Sequence, residues 1–550
     1  MARGSQAFKT QEEAMNLNQQ MAARFKQLNQ IGIALSVGHD LGTLLESILT
    51  AARALTNADA GTVYLCDAEK EKLIFQVVHN DTWKSTQGVA ISLPAIPLMD
   101  KEGAPNHRNV ASHAALSGET INIPDAYAAA EYDFSGTVTF DNLTGYRSRS
   151  FLTVPMRDHE GKITGVLQLI NAQDPGSCSV IPFSPDDQEL VESLASQAAV
   201  ALNNNRLIMQ LENLLESLIK MVNTAIDDKS PYTKGHCERV PILAMMLAEA
   251  VHDADSGPLT GFKMSQGDRR ELWIAAMLHD CGKISTPVHV VDKATKLETI
   301  FDRIHLVDTR LELLRRDAEI VMLRRVAQVG EGTSGAEEAR QVWRERLEQL
   351  EQDRALLHRC NIGSEFMADE EMERVRSIAR RQWRDAWGNW NELLSADEVE
   401  NLCIRSGTLT AQEREIINHH IEVTLSMLES ITWPAEYQKV AEFAGGHHER
   451  MDGKGYPHGL KRGEMSVQAR IMGIADIFEA LTARDRPYKK GKTLSESLSI
   501  LRKMKLSGHV DPDLFDIFIG EKVYLKYAEQ FLSPEQIDNV NPDCIFGSKD

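Results

Sequence analysis

Histidine and aspartate recur in this chain inside apolar or glycine-rich runs, and these are the residue types that ligate transition metals. His279 and Asp280 are adjacent at the end of "ELWIAAMLHDCGKIS", and His419 and His420 lie within "REIINHHIEVTLSMLESI". His447 and His448 open "GHHERMDGKGYPHG", with Glu449 and Asp452 close behind. His236 in "SPYTKGHCERV" and Asp476 in "ARIMGIADIFEALTARDRPYK" each stand in a segment that reads as a helix. A lone histidine on an apolar helix is more often a hydrogen-bonded core residue, and a lone aspartate there a buried group with local partners. Several helices that each carry an imidazole or carboxylate amid apolar residues point elsewhere, because one shared cation satisfies them together. Mixed imidazole and carboxylate donors suit iron, manganese or zinc better than calcium. Gly453 and Gly455 let the chain bend sharply beside the histidine pair.

The elements that must position these residues follow from periodicity. Residues 228–510 are helix-rich, within a domain assigned to 228–520. Within them 308–405 reads as a helical insertion, two charged helices ("RLELLRRDAEIVMLRRVAQ" and "ARQVWRERLEQLEQDRALLHR") broken by the loop "VGEGTSGAEE". Residues 186–227 hold no Gly or Pro and repeat Leu and Ile at steps of three and four, which predicts one long connector helix. Such a helix leaving a sensor domain suits pairing with its copy in a homodimer. Upstream, "LLESILTAARALTNA" is an amphipathic helix, and "AGTVYLCDAEKEKLIFQVVH" and "RSRSFLTVPMRDHEGKITGVLQLINA" each read as strand, turn, strand. Residues 38–204 are therefore expected to form an α+β domain, sensor-sized, with an antiparallel sheet. Residues 1–37 are assigned to an N-terminal helix and 521–550 to a C-terminal tail.

Bulk composition bounds the function. A chain of 550 residues implies two to four domains. With 42% hydrophobic and 25% charged residues it is globular in type, and no run approaches the ~18 apolar residues that cross a bilayer. The start lacks the apolar core of a secretion signal, so a cytoplasmic protein without a membrane role is expected. A formal net charge of −20 argues against nucleic-acid polymers as partners. It leaves small anionic substrates open, since bound cations reverse the local field. The cysteines at 66, 178, 237, 281, 360, 403 and 544 form no CxxC pair and suit reduced thiols; Cys237 and Cys281 read as small buried residues.

His279-Asp280 with Gly282-Lys283, His447-His448-Glu449, "DGKGYP" and "ARIMGIADIFEALTARDRPYK" together resemble the HD-GYP phosphodiesterases over roughly 228–308 and 408–520. The resemblance implies a helical bundle with two divalent metal ions, usually iron or manganese, that opens cyclic di-GMP to pGpG, with further hydrolysis to GMP left open, or acts on a related dinucleotide such as 3′,3′-cGAMP. The implied ligands are His236, His279, Asp280, His420, His447, His448 and Asp476, with Asp280 bridging. His420 is preferred to His419 because of its spacing to Met427 and Leu428. Asp280 and Lys283 carry the catalytic role, Lys283 offsetting charge on the phosphate. Glu449 is expected to orient a neighbouring histidine, with Asp452 beside it in support, and Tyr456, Arg486 and Lys489 resemble the family's contacts to the substrate. Three departures stand out. Ser230 replaces an Asp, Tyr232 replaces the Glu of three-metal members, and "RPY" lies one residue further from Asp476. A receptor that binds a cyclic dinucleotide without hydrolysing it, or a scaffold for diguanylate cyclases (GGDEF proteins), is the competing class.

"DNLTGYRSRSFLTVPM", "GVLQLINA" and "FSPDDQELVESLASQAAVAL" resemble a GAF domain of the cyclic-nucleotide-binding type. Asn171, Phe183 and Asp187 match its Asn-Lys…Phe…Asp motif, and Ala172 stands where the Lys would be, removing a charge pair with Asp187. A cyclic nucleotide or other small ligand there, regulating the hydrolase through the connector, is the implied arrangement; a domain used only for dimerisation is the alternative. The expected fold class is thus a multidomain chain: an α+β GAF sensor, a long connector helix, and an all-α HD-type bundle with a helical insertion.

Overall fold

A computed structural model describes residues 24, 26, 29–32, 41–67, 69, 71–84, 94–100, 102–229, 235–363, 366–484 and 491–540. Most of the expected N-terminal helix, together with Ser230, Tyr232, Arg486 and Lys489, lies outside the described residues. The chain divides into two compact units, Met1–Leu215 and Glu216–Asp550. No helix among the described residues is long and apolar enough to cross a membrane.

The strands of the first unit are β1 (Ala58–Cys66), β2 (Lys72–Asn80), β3 (Ile96–Pro97), β4 (Ile121–Ile123), β5 (Phe151–Arg157), β6 (Ile163–Gln173) and β7 (Val180–Ile181). They form an antiparallel sheet of order β3-β2-β1-β6-β5-β4, with β7 paired to β6. Both strand–turn–strand readings are present: β1 pairs with β2, and β5 with β6. Helix α1 (Leu41–Thr56) buries Leu44, Leu45, Ile48, Leu49 and Leu55, the spacing of one helical face. They join Val154, Leu167, Leu169 and, from the long helix that follows the sheet, Val191, Leu194 and Ala198 in one core. A second cluster holds Tyr64, Leu73, Ile123, Phe151 and Val166 with residues of α2 (Val110–Ser117). The sheet is thus covered on both faces, an α+β arrangement of layers.

The three residues of the GAF-like motif have structural partners. Asn171 takes a left-handed φ of 57°, which asparagine tolerates. Its Oδ1 accepts from the Arg149 N–H at 2.7 Å, and its Nδ2 donates to the Tyr146 hydroxyl and the Arg147 carbonyl. Phe183 lies in the core, and Asp187 accepts from the N–H and hydroxyl of Ser184. The cation facing Asp187 is Arg24, at 3.1 Å, so a charge pair survives without a lysine at 172.

Helix α3 (Ser135–Thr144) precedes β5, and α4 (Pro185–Lys229) is the connector, continuous over 45 residues. The second unit is largely helical. Helix α5 (His236–His252) packs on α6 (Gln266–Leu278), α14 (Val467–Thr482), α16 (Pro512–Gly520) and α17 (Val523–Phe531), and α15 (Leu494–Leu506) packs on α14 and α16. Ser265 and Asp268 close a capping box at the start of α6, and Asp511 caps α16. The insertion is a hairpin of α7 (Ile304–Val329) and α8 (Ser334–Asn361), broken within the expected loop. It continues through α9 (Asp369–Ala379), a small hairpin of β8 (Gln382–Arg384) and β9 (Trp390–Glu392), and α10 (Ala396–Leu402). It has its own apolar core from Leu297 to Leu402. The two strands are a feature that the expectation of an all-helical unit left out.

The expected C-terminal tail is corrected by the structure. Val523, Tyr527 and Ala528 of α17 are fully buried, and the Gln536 amide donates to the carbonyls of Thr482 and Lys492. Residues 521–540 are part of the helical unit. Their apolar residues find partners on α5, nearly three hundred positions earlier, a pairing with no local sequence signal.

Candidate metal centre

Five structural segments converge on one buried site. Helix α5 begins with His236, and α6 ends at Leu278 with His279 and Asp280 directly after it. A 3-10 turn, Cys281–Ser285, then carries Lys283. Two further helices, α11 (Ala411–Asn418) and α12 (His420–Glu429), meet at the His419-His420 step. Helix α13 (Val440–Gly445) runs into a 3-10 turn ending at His448, and α14 supplies Asp476. The sequence folds tightly here because Gly282 has no side chain: a Cβ would collide with the His420 carbonyl oxygen.

Seven residues proposed from the sequence come together in sets whose donor atoms lie within 4.8 Å: His236, His279 and Asp476; His279, Asp280 and His447; His420, His447 and His448. Asp280 lies between them. Its Oδ2 is 3.4 Å from His236 Nε2 and 3.3 Å from His279 Nε2, while its Oδ1 is 3.4 Å from His420 Nε2. Asp476 Oδ1 faces His236 Nε2 at 3.3 Å. His419 points away, exposed and paired with Glu422 at 2.8 Å.

The histidines are oriented by a repeated device. Nδ1 of His279 donates to the Ala276 carbonyl at 2.8 Å, that of His447 to Ala444 at 2.6 Å, and that of His420 to Ile417. Each ring uses the carbonyl three residues back, which fixes the tautomer and leaves the Nε2 lone pair facing the site. Nε2 of His279, His420 and His447, and Oδ1 of Asp280, are buried without a hydrogen-bond partner among the described residues. Polar atoms so placed are costly in a folded protein unless something else satisfies them. A cation does so, and the donor set fits one.

The electrostatics agree. Burial works to raise Asp280, but the Lys283 ammonium and the facing imidazoles hold it well below the carboxylate range; imidazoles do the same for Asp476. Burial, with His448 and His279 nearby, pushes His447 well below its usual value, and burial pulls His448 down to about 4. At neutral pH these groups are in their donor forms. His236 goes the other way: burial would lower it, yet Glu479, Asp280 and Asp476 hold it raised.

Lys283 is half-buried, with Nζ 2.5 Å from Asp280 Oδ2. Tyr456 stacks on His448, ring centroids 4.8 Å apart, and borders the site. Glu449 is corrected: its carboxylate accepts from the N–H groups of His458, Gly459 and Leu460 at 2.7–3.1 Å and holds the glycine-rich loop, not a histidine. Asp452 is corrected likewise. It pairs with Arg450 and accepts from the Lys454 N–H, a turn-forming role with no link to a ligand.

One residue the sequence reading missed is Glu479, fully buried one turn after Asp476 on α14. It takes the Nδ1–H of His236 and pairs with Arg239 at 2.7 Å. A second carboxylate at i+3 in the apolar run "ADIFEAL" was the available signal.

Comparison with known proteins assigns the parts. Residues 40–202 match the GAF domain model, and residues 233–357 and 395–514 match two HD domain models. The chain joins a GAF domain to an HD domain. Relatives include a 3′3′-cGAMP-specific phosphodiesterase 1 of Vibrio cholerae serotype O1, 44% identical over 14% of this chain and 18% of the relative. A cyclic di-GMP phosphodiesterase of Thermotoga maritima is 36% identical over 22% of this chain and 32% of the relative. A dual 3′,5′-cyclic-AMP and -GMP phosphodiesterase 11 of Drosophila melanogaster is 29% identical over 40% of this chain and 15% of the relative. In each case the matched region is under a third of the relative's length.

Proposed function

We propose that this GAF–HD protein is a metal-dependent phosphodiesterase of the HD-GYP type that opens cyclic di-GMP to pGpG. The observation that carries the reading is Asp280, whose Oδ2 faces His236 and His279 while its Oδ1 faces His420. His236, His279, Asp476 and Asp280 Oδ2 would hold one divalent cation; His420, His447, His448 and Asp280 Oδ1 would hold the other, iron or manganese in each case. When bound, such ions supply Lewis acidity and an activated water for attack on phosphorus.

The chain's own residues then do the rest. The carbonyls of Ala276, Ile417 and Ala444 keep the imidazoles in the donor tautomer. Lys283 is held protonated by Asp280 against the effect of burial, and it places a positive charge where a phosphate would enter. Tyr456 presents a ring beside His448 on which a base can lie. The GAF domain regulates the site through α4, and the chain forms a homodimer along that helix. The similarity to a 3′3′-cGAMP-specific enzyme favours the mixed dinucleotide as the second substrate to test.

The test is turnover of both dinucleotides by protein purified anaerobically with its metals quantified, beside Asp280→Ala. Linear product with about two metal ions per chain, absent in the variant, is expected. Tight dinucleotide binding without turnover, with metals retained, would replace the enzyme by a receptor.

A further inference from the structure

We infer that Lys229, the last residue of the connector helix, positions the turn that carries Lys283 and follows the bridging Asp280. The inference rests on the phosphodiesterase reading only for its rate measurement.

The turn Cys281–Ser285 is fixed to α12 at its start. The Gly282 N–H donates to Thr424 Oγ1 at 2.9 Å, Thr424 Oγ1 donates to the His279 carbonyl at 3.2 Å, and Gly282 allows the close approach to His420. Inside the turn, the Lys283 N–H donates to the Asp280 carbonyl and the Thr286 N–H to the Lys283 carbonyl. At its C-terminal end the turn is held by Lys229. The Lys229 ammonium donates to the Lys283 carbonyl at 3.3 Å and to the Ile284 carbonyl. Carbonyls at the end of a helical turn carry the negative end of its dipole, and a cation there is favourable.

A short chain of contacts follows. The end of α4 grips the backbone of Lys283, whose own ammonium grips Asp280 Oδ2. Lys229 touches no proposed ligand, so it is a positioning residue. A small rotation or withdrawal of the helix end would release or tilt the Lys283 backbone and, through it, the bridging carboxylate. Misplacement of about 1 Å at a reacting centre is enough to lower a rate about a hundredfold. The connector is one continuous helix from Pro185 to Lys229, so this contact lies at the end of the element that follows the GAF domain.

The experiment uses the full chain with Lys229→Met and Lys229→Arg. Three quantities are read: hydrogen exchange in the peptide spanning Asp280–Thr286, the rate at which EDTA strips manganese, and kcat and KM for cyclic di-GMP. Lys229→Met is expected to exchange faster in that peptide, to lose metal about tenfold faster, and to lose kcat with KM little changed. Lys229→Arg is expected to restore all three, since it keeps the charge and the donors. Wild-type exchange and stripping rates in Lys229→Met would overturn the inference, as would Lys229→Arg as impaired as the Met variant. Exchange and metal loss decide the matter even if the wild type hydrolyses neither dinucleotide, an outcome that would count against the enzyme reading alone. Should Lys229→Met not fold, Lys229→Gln, which keeps a donor but not the charge, is read by the same criteria.

Discussion

At His236 the imidazole is caught between Glu479, which takes its Nδ1–H, and two aspartates that face its Nε2. Glu479 is in turn neutralised by Arg239, so its carboxylate can stay fully buried without a bare charge. Removing a partner that orients a ligand typically lowers metal affinity 10–100-fold. Glu479→Gln is therefore expected to weaken manganese binding by about that factor while the helical fold persists, as measured by competition with a fluorescent chelator. Unchanged affinity would show that His236 is either no ligand or oriented by the surrounding packing alone. Imidazoles and carboxylates set in apolar helices made a shared cation legible in the sequence, where a polar group must be paid for by a partner, but the set of seven, with His420 in place of His419, came from the resemblance to a known family. Glu479 was passed over because one acidic residue on a helix is ordinary until its neighbours are known. Glu449 was misread for a related reason: adjacency to His448 says nothing about where a loop folds, and here three N–H groups of that loop turn back onto the carboxylate.

Among the elements, α4 carries a feature that none of the described apolar clusters includes. Leu207, Leu211, Leu214, Leu218 and Met221 are 46–65% exposed and spaced by alternating steps of four and three residues. Val200 and Asn204 continue the register toward the N-terminus. A seam of this period matches the a and d positions of a two-stranded coiled coil, and a single Asn at such a position favours a dimer in register. Light scattering is expected to give a dimer for the native chain and a monomer for Leu211→Glu combined with Leu214→Glu. A native chain that is monomeric at micromolar concentration would exclude the seam as a dimer contact. The period was legible because it is local, as was the break in the insertion between α7 and α8, where Gly330 and Gly332 have positive φ. The β8–β9 hairpin and α17 were not. "QWRDAWGNWNE" shows no clean alternation, and the burial of Tyr527 depends on helices remote in sequence.

For the whole molecule, the division at Leu215 matters more than any single contact. The two apolar clusters of the first unit draw on residues up to Leu202, and the insertion core starts at Leu297. Between them α4 is largely exposed from Arg206 to Leu214. Units with separate cores unfold as separate cooperative transitions, so calorimetry of the full chain is expected to show two. All seven proposed ligands belong to the second unit. A cation that binds only the folded form stabilises by about 4 kcal/mol at a free concentration a thousandfold above its Kd. Added manganese should therefore raise one transition by several degrees and leave the other in place, and EDTA should reverse the shift. Asp280→Ala should abolish the response without moving the metal-independent transition. A shift of both transitions would mean that the metal centre and the GAF domain are thermodynamically linked, which would raise the weight of the contact at Lys229. Neither transition moving at saturating manganese would remove the metal centre itself, because four buried polar atoms cannot gain a ligand without the fold gaining stability.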